Sequence, residues 1–361
     1  MKVLHICNDF NYQKLYINLF RENAKSIDQV VYCGNRNKEI IGNNVDSTIS
    51  NIEYFNPYIV YPFDKINYFG KALRQFNFIK KNIKLSEIDH IHAHTFFSDG
   101  IIALLINYYF KISFTVSVRN TDVNAFFKYK PYLIPLGKLI YNCAKTTHFP
   151  AQSIKAKFFS KISRPKSKSI IIPNPLDDYW LKNQQLEKKG YEPQTDFKIC
   201  FVGKIDANKN IEPLVKAVGE ILPKYNIKLT IVGRFYSKSI KKRVLKNTFV
   251  KHIKHTETKQ TLLKIYRDSH LLCLPSKKET FGLVCLESLT QGTPFLMRKG
   301  QGLYGLIEET KDSFYFESDS EISLKIQQVI NEHQPNGVVS VELDKFKCFD
   351  ISKKFISSYK Y

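Results

Sequence analysis

Short apolar runs alternate with amphipathic stretches along most of the chain. In the first half, residues 3–6, 30–32, 88–94, 114–118 and 169–172 have the length and composition of strands. Residues 15–24 and 101–110 space their apolar positions as helices do. A polar segment, 181–196, carries Gly190 and Pro193 and predicts an interdomain linker. The alternation then restarts, with strands expected at 198–202, 228–232 and 271–274 and helices at 211–222 and 262–267. Residues 349–359 predict a short basic amphipathic helix. Such alternation argues for α/β architecture, a parallel sheet with helices on both faces. Two successive units, in a chain of 361 residues that exceeds what one core usually organises, predict two Rossmann-like domains facing a cleft.

The densest chemistry lies at 275–295. The apolar run Leu271, Leu272, Cys273, Leu274 ends at Pro275-Ser276, as a strand emptying into a loop should. Glu279 sits in that loop. Phe281-Gly282 then opens a helical pattern with Leu283, Leu286 and Leu289 on one face, closed by Gly292 and Pro294. A helix starting near Gly282 puts Glu279 just before its positive end and Glu287 more than a turn inside. Free amides at a helix start bind phosphate or polarised oxygen, and carboxylates beside them need hydroxyls or a cation as partners. The alternative is a capped core helix with a solvated Glu pair.

This string resembles the signature of the retaining glycosyltransferases of family 4, which have the two-domain GT-B fold. Pro-Ser, a short loop, Glu279, Phe281-Gly282 and Glu287 reproduce the family's E-x7-E order, and Gln291-Gly292-Thr293-Pro294 matches its small-Gly-x-Pro ending. The resemblance implies that Glu279 contacts donor-sugar hydroxyls and supports positive charge at the anomeric carbon, while Glu287 bonds the nucleotide ribose. Phe281 and Gly282 would hold the donor through their amides, with Leu283 beside them in the same site. Gly203-Lys204 after an expected strand and Lys209-Asn210 before the next helix match the family's basic pair for the donor diphosphate, with Lys204 where Arg is usual. Gly233 stands where the family has a loop near base and phosphate, and Gly300-Gln301-Gly302 resembles its glycine-rich donor loop, without the usual Glu after it. The co-substrate implied is a nucleotide diphosphate sugar, with no cofactor and no metal. Asp177-Asp178 follows a turn and Asp319 reads as a helix cap before Ile322, so neither resembles a metal site.

The first domain conforms less. Its opening loop is Asn8-Asp9-Phe10-Asn11 where the family often has glycines, so an unusual acceptor pocket is expected there, with Asn8, Asp9 and His94 as candidate contacts. Asp89 to His94 matches the family's Asp-x-(Ile/Val)-His-x-His strand end. His90, His92 and His94 share a strand face but have no acidic partner, so a zinc site is not expected. After 114–118 this chain has Arg119 where the family carries His, and it keeps Asp122. Both are expected at the catalytic centre, Arg119 suiting phosphate or carboxylate recognition better than proton transfer. Retention, with the leaving phosphate accepting the acceptor's proton, needs no protein base. Ile170 to Asp177 resembles the family's Ile-Pro-Asn-Gly hinge with Pro175 replacing Gly, and Asn174 and Asp177 read as turn residues. The family's C-terminal helix crosses back, so the first domain is expected over 1–182 plus 346–361 and the donor domain over 183–345.

Charge narrows the partners. The formal net charge is +22, which calls for an acidic partner or surface. No zinc-finger, basic-leucine or RNA-binding pattern is present, so nucleic acid is not expected. Basic residues interleave with aromatics over 68–81 and 126–132, which suits either an anionic membrane surface or packing helices with snorkelling lysines. Seven scattered cysteines without pairs fit a reducing cytoplasm. The first residues read as a strand rather than a signal peptide, and 101–110 is too short to span a bilayer. The expectation is a cytoplasmic enzyme, or one peripheral on the inner membrane face. It would transfer a hexosyl or related group to a glycan or lipid-linked acceptor in bacterial cell-envelope lipopolysaccharide or capsule synthesis. The rival reading is a non-catalytic GT-B glycan-binding or scaffold subunit.

Overall fold

The computed structural model describes residues 1–162, 168–254, 258–333 and 337–360. The chain forms two compact units, Met1–Asp177 with Lys345–Tyr361, and Asp178–Asp344. Tyr361, the last residue of the expected returning helix, lies outside the described residues.

In the first unit the elements run β1 (Lys2–Ile6), α1 (Leu15–Asn23), β2 (Asp28–Tyr32), β3 (Ile52–Phe55), α2 (Tyr68–Asn82), β4 (His90–Ala93), α3 (Gly100–Phe110), β5 (Phe114–Ser117), the single turn α4 (Phe127–Tyr129), α5 (Ile134–Cys143), β6 (Thr146–Phe149), α6 (Gln152–Phe159) and β7 (Ser169–Ile171). The strands pair in parallel in the order β3-β2-β1-β4-β5-β6-β7. Side chains alternate between the faces: Leu4 and Ile6 join the core formed with α2 and α3, whereas Val3 and Cys7 join the one formed with α1. The strands β3 and β6, which the apolar pattern did not single out, are short and carry Glu53, Thr146, Thr147 and His148. Helix α2 covers the first basic-aromatic stretch. Its Tyr68, Ala72, Phe76 and Ile79 are buried, so it is a packing helix, while Phe69 and Leu73 remain exposed.

The second unit contains α7 (Asp178–Lys182), β8 (Phe197–Val202), α8 (Ile211–Ile221), β9 (Ile227–Val232), α9 (Lys238–Leu245), β10 (Val250–Ile253), α10 (Lys259–Arg267), β11 (Leu271–Leu274), α11 (Leu283–Leu289), β12 (Phe295–Arg298), β13 (Ser313–Phe316) and α12 (Ile322–Asn331). Its parallel sheet has the order β10-β9-β8-β11-β12-β13. The stretch 181–196, expected as a linker, instead packs onto this unit. Glu187 bridges to Val338, and the buried Lys188 amine pairs with the buried Asp312 carboxylate at 2.5 Å. Asp319 is not a cap; it accepts from Asn210 and pairs with Arg298.

The final helix α13 (Cys348–Lys360) belongs to the first unit, where Ile351, Phe355 and Tyr359 pack against α1 and the β1–β2 face. Beneath it lies a stripe of buried histidines from three strands: His5, His90, His92, His94 and His148. His92 shares its nitrogens with the Tyr359 hydroxyl (2.7 Å) and Ser117 (2.8 Å), His90 with Ser113 and Thr115, and His5 and His94 with each other at 3.1 Å. Burial disfavours the charged imidazolium, so His5, His90 and His148 are pulled down to about 3 and His92 and His94 well below their ordinary value. As the pH falls below about 6.5, the unfolded chain takes up protons that the folded one refuses, and stability is lost. Each such histidine contributes a slope of roughly 1.4 kcal/mol per pH unit in that window. Urea denaturation should therefore show much lower stability at pH 5.5 than at pH 7.5, and His148→Phe should make the dependence shallower.

Candidate functional site

Both sheets are wound outward in two directions from their first strand. In the second unit this places β8 beside β11, and the segments leaving their carboxyl ends part to opposite sides, which is where open α/β sheets bind ligands. The segment after β8 holds Gly203, Lys204 and Lys209; the segment after β11 holds Glu279, Phe281 and Gly282. The fold thus brings the expected donor residues to one locus.

Glycines permit the close approach at the strand ends. Gly233, with φ of +143°, lies so near the Gly203 carbonyl that a Cβ at Gly233 would fall 1.9 Å from that oxygen. Lys209 then reaches across, its amine 2.6 Å from Glu279 Oε2 with both side chains mostly buried. Lys204, more exposed, lies 3.2 Å from Asp206 and 4.4 Å above the Tyr236 ring. The two segments are stitched by Asn208, whose amide donates to the Lys278 carbonyl while its oxygen accepts the Lys278 N–H. Asp206 holds the turn by accepting the amides of Asn208 and Lys209. On the other side, Gln301 accepts the Glu279 N–H and Gly302 donates to the Glu279 carbonyl. A Cβ on Gly302 would meet the Phe281 carbonyl at 2.7 Å.

Gly282, in the left-handed region, precedes α11, with Leu283 as its first residue. Glu287, half-buried on the second turn, accepts from the Tyr266 hydroxyl at 3.0 Å. Asp206, Asn208 and Tyr266 were not singled out in the sequence, where Gln301 stood only as the middle of the glycine-rich loop. Asp206-x-Asn208 between the two lysines is an Asx-turn signal that could have found the first two.

In the first unit the corresponding loops follow β1 and β4, which also adjoin. Asn8 donates to Asp99 and accepts from the Gly34 amide, tying three loops. Asp9 is half-buried, and burial lifts its carboxyl above the usual range against the pull of Arg36, Arg119 and Lys71. Both border a cavity of about 240 Å³. His94 does not join them. Its ring is sealed among His5, His92, Tyr16 and Phe20 because it faces inward with the histidine stripe. It is a core residue, and only its carbonyl, accepting Arg119 Nε, serves the loop. His5, His92 and His94 bring ring nitrogens within 4.8 Å of one another, but their hydrogen bonds to neighbours already engage His92 at both nitrogens.

Arg119 lies at the end of β5, its guanidinium bonded to the His94 carbonyl and Asn174 and placed over the Tyr16 ring. Asp122 is buried, and its oxygens accept the amides of Phe96, Phe97 and Arg119. Burial raises its carboxyl to about 6. It shapes the loops rather than presenting an open acid. Asp177 accepts from Asn18.

Residues 182–337 match the family model described as glycosyl transferases group 1. The uncharacterized glycosyltransferase MJ1607 of Methanocaldococcus jannaschii is 22% identical over 351 residues, covering 86% of this chain and 85% of that protein. Among solved structures, HepE of Anabaena in complex with UDP superposes with a TM-score of 0.74 at 13% identity, covering 100% of both chains. The lipopolysaccharide outer core galactosyltransferase WaaB in its apo form gives 0.75 at 14%, covering 99% of each. The two units have the fold of the GT-B glycosyltransferases. The second unit carries the group 1 glycosyl transferase module, and the chain is a glycosyltransferase.

The Asn208 stitch generates a direct expectation. Asn208→Ala removes two hydrogen bonds to Lys278 and should cost about 1–2 kcal/mol of stability. Amide hydrogen exchange should quicken at Lys278 and Glu279; unchanged exchange there would show that the two segments hold without it.

Proposed function

We propose that this protein is a retaining glycosyltransferase of family 4. It moves a sugar from a nucleotide diphosphate sugar to a glycan or lipid-linked acceptor in cell-envelope polysaccharide synthesis, without a metal ion. The observation that carries this reading is the Lys209–Glu279 pair at the switch point of the second sheet, 2.6 Å apart and mostly screened from water. A cation and a carboxylate so placed match a ligand with an anionic end and a hydroxyl-bearing end. Lys209, Lys204 and the amides before α11 would take the diphosphate. Glu279 would take the sugar hydroxyls and the charge developing at the anomeric carbon, and Glu287 the ribose.

In the reaction, the bond from anomeric carbon to phosphate oxygen breaks and a bond to the acceptor oxygen forms on the same face. The acceptor's proton passes to the departing phosphate, so no protein base is required. Arg119 is then a charge partner for phosphate, not a proton carrier. Relatives of the same fold support the donor class, since HepE has been solved with UDP and with UDP and glucose. The WaaB likeness favours an envelope pathway. No described helix is long and apolar enough to cross a membrane, and the reading places the enzyme in the cytoplasm or peripherally on the membrane's inner face. A non-catalytic glycan-binding role draws on one observation: the Arg119 guanidinium is already engaged by His94 and Asn174.

A thermal-shift screen with UDP, GDP, ADP and their sugars identifies the donor. With it, Glu279→Ala should lower kcat/KM by about a hundredfold or more, as loss of a preorganised transition-state contact does, with an unchanged circular dichroism spectrum. Lys209→Ala should weaken donor binding. Undiminished turnover by Glu279→Ala would remove the role given to it, and nucleotide binding without transfer by the unmodified protein would favour the non-catalytic reading.

A further inference from the structure

The first unit has its own pocket at the switch point between β1 and β4, and three basic side chains stand in its walls. Two cavities, of about 440 and 240 Å³, share Arg36, Lys71 and Phe126 in their walls. Lys130 lines the larger one, its amine over the rings of Tyr68 and Phe126 at 5.1 and 5.5 Å. Neither Arg36 nor Lys71 forms an ion pair with a carboxylate among the described residues. Arg36 bonds the Tyr12 hydroxyl, and Lys71 lies over the Tyr68 ring. Asp64, in the same wall, is already held by both oxygens on Arg74. Burial and the neighbouring cations Lys130 and Arg36 lower the Lys71 amine below its usual value, against the pull of Asp99 and Asp64. Arg36 and Lys71 thus bring to these walls cations that no bonded carboxylate takes up among the described residues, with Asp9 and Asp122 bordering the smaller cavity.

A second observation is independent of charge. Tyr68 is 3% exposed and lines the larger cavity, yet its hydroxyl makes no well-formed hydrogen bond. Ser98 is near enough to influence it without completing one. A buried donor left without an acceptor costs about 1–3 kcal/mol, which an oxygen of a bound ligand would offset. Around the pocket, Phe63, Ile66, Phe69 and Tyr129 are exposed apolar side chains, neighbours in sequence of the pocket's own Pro62, Tyr68 and Lys130.

We propose that this pocket holds the phosphate or diphosphate group of the acceptor substrate, with Arg36, Lys71 and Lys130 neutralising it and the Tyr68 hydroxyl donating to one of its oxygens. The assignment of the ligand as acceptor rests on the glycosyl-transfer reading; the anion site itself does not. The shared chemistry is a phosphate ester, which a soluble sugar phosphate or a prenyl carrier can supply. Asn8 and Asp9, which border the smaller cavity, would meet an acceptor hydroxyl attached to that phosphate.

Isothermal titration of the full chain with glucose 1-phosphate and with geranyl diphosphate tests the proposal, and the tighter of the two identifies the source. Tyr68→Phe should bind roughly tenfold more weakly with no loss of thermal stability, since its hydroxyl has no internal partner. Arg36→Ala combined with Lys71→Gln should weaken binding by roughly a hundredfold. Lys209→Ala, in the other unit, should leave it unchanged. Absence of binding by both compounds overturns the proposal, as does binding that Lys209→Ala abolishes and Tyr68→Phe does not, which would place the anion in the donor site. These outcomes separate from those of the donor reading. Loss of transfer in Glu279→Ala with no phosphate binding in the first unit would refute only the acceptor chemistry. Phosphate binding there without transfer from any donor would keep the anion site and remove the word acceptor.

Discussion

Reversal of winding direction in a parallel sheet is the constraint on which everything else depends. Once β8 has β9 on one side and β11 on the other, the segments leaving β8 and β11 are driven apart by the helices that follow them. The space between them has walls of backbone amides and helix starts. What fills it is decided by the few side chains on those segments. In the second unit these are Lys209 and Glu279, close enough to bond; in the first they are Asn8, Asp9 and the loop before α3. The same geometry thus yields one locus closed by an ion pair and another where Asp9 stands among Arg36 and Lys71 without a bonded partner of either sign among the described residues.

The second unit was largely legible in the sequence because its chemistry sits in contiguous segments. Pro275 to Pro294 encodes a strand end, a carboxylate, a left-handed glycine and a helix in a fixed order. Gly282 has φ of +84°, and a Cβ at Gly233 would strike the Gly203 carbonyl. The stitches between segments were not legible. Asn208 to Lys278 and Gln301 to Glu279 join residues far apart in the chain, and amide side chains give no periodic signal.

The first unit was read less well, for a related reason. Its face under α13 is polar within a buried sheet, so strands such as β6 carry Thr, Thr and His in place of an apolar run. His94 was expected at the acceptor site from its place at a strand end; its ring instead turns inward, where Tyr16 and Phe20 cover it. The candidate anion pocket draws Arg36, Lys71 and Lys130 from three separate segments, which no spacing rule could have joined. Asp122 shows the complementary case. Its position was noticed from the family pattern, but three backbone amides occupy its oxygens, and its effect on chemistry passes through the shape of the loops that carry Arg119 and Phe97.

The place of α13 also orders events during synthesis. Residues 348–360 form part of the first unit's core, yet they leave the ribosome after the whole of 178–344. The second unit has all its strands available earlier. Until the last helix arrives, the histidine stripe and the flank of α1 stand uncovered. A nascent chain is therefore obliged to hold a half-built first domain beside a finished second one, and that interval is when a chaperone would have something to bind.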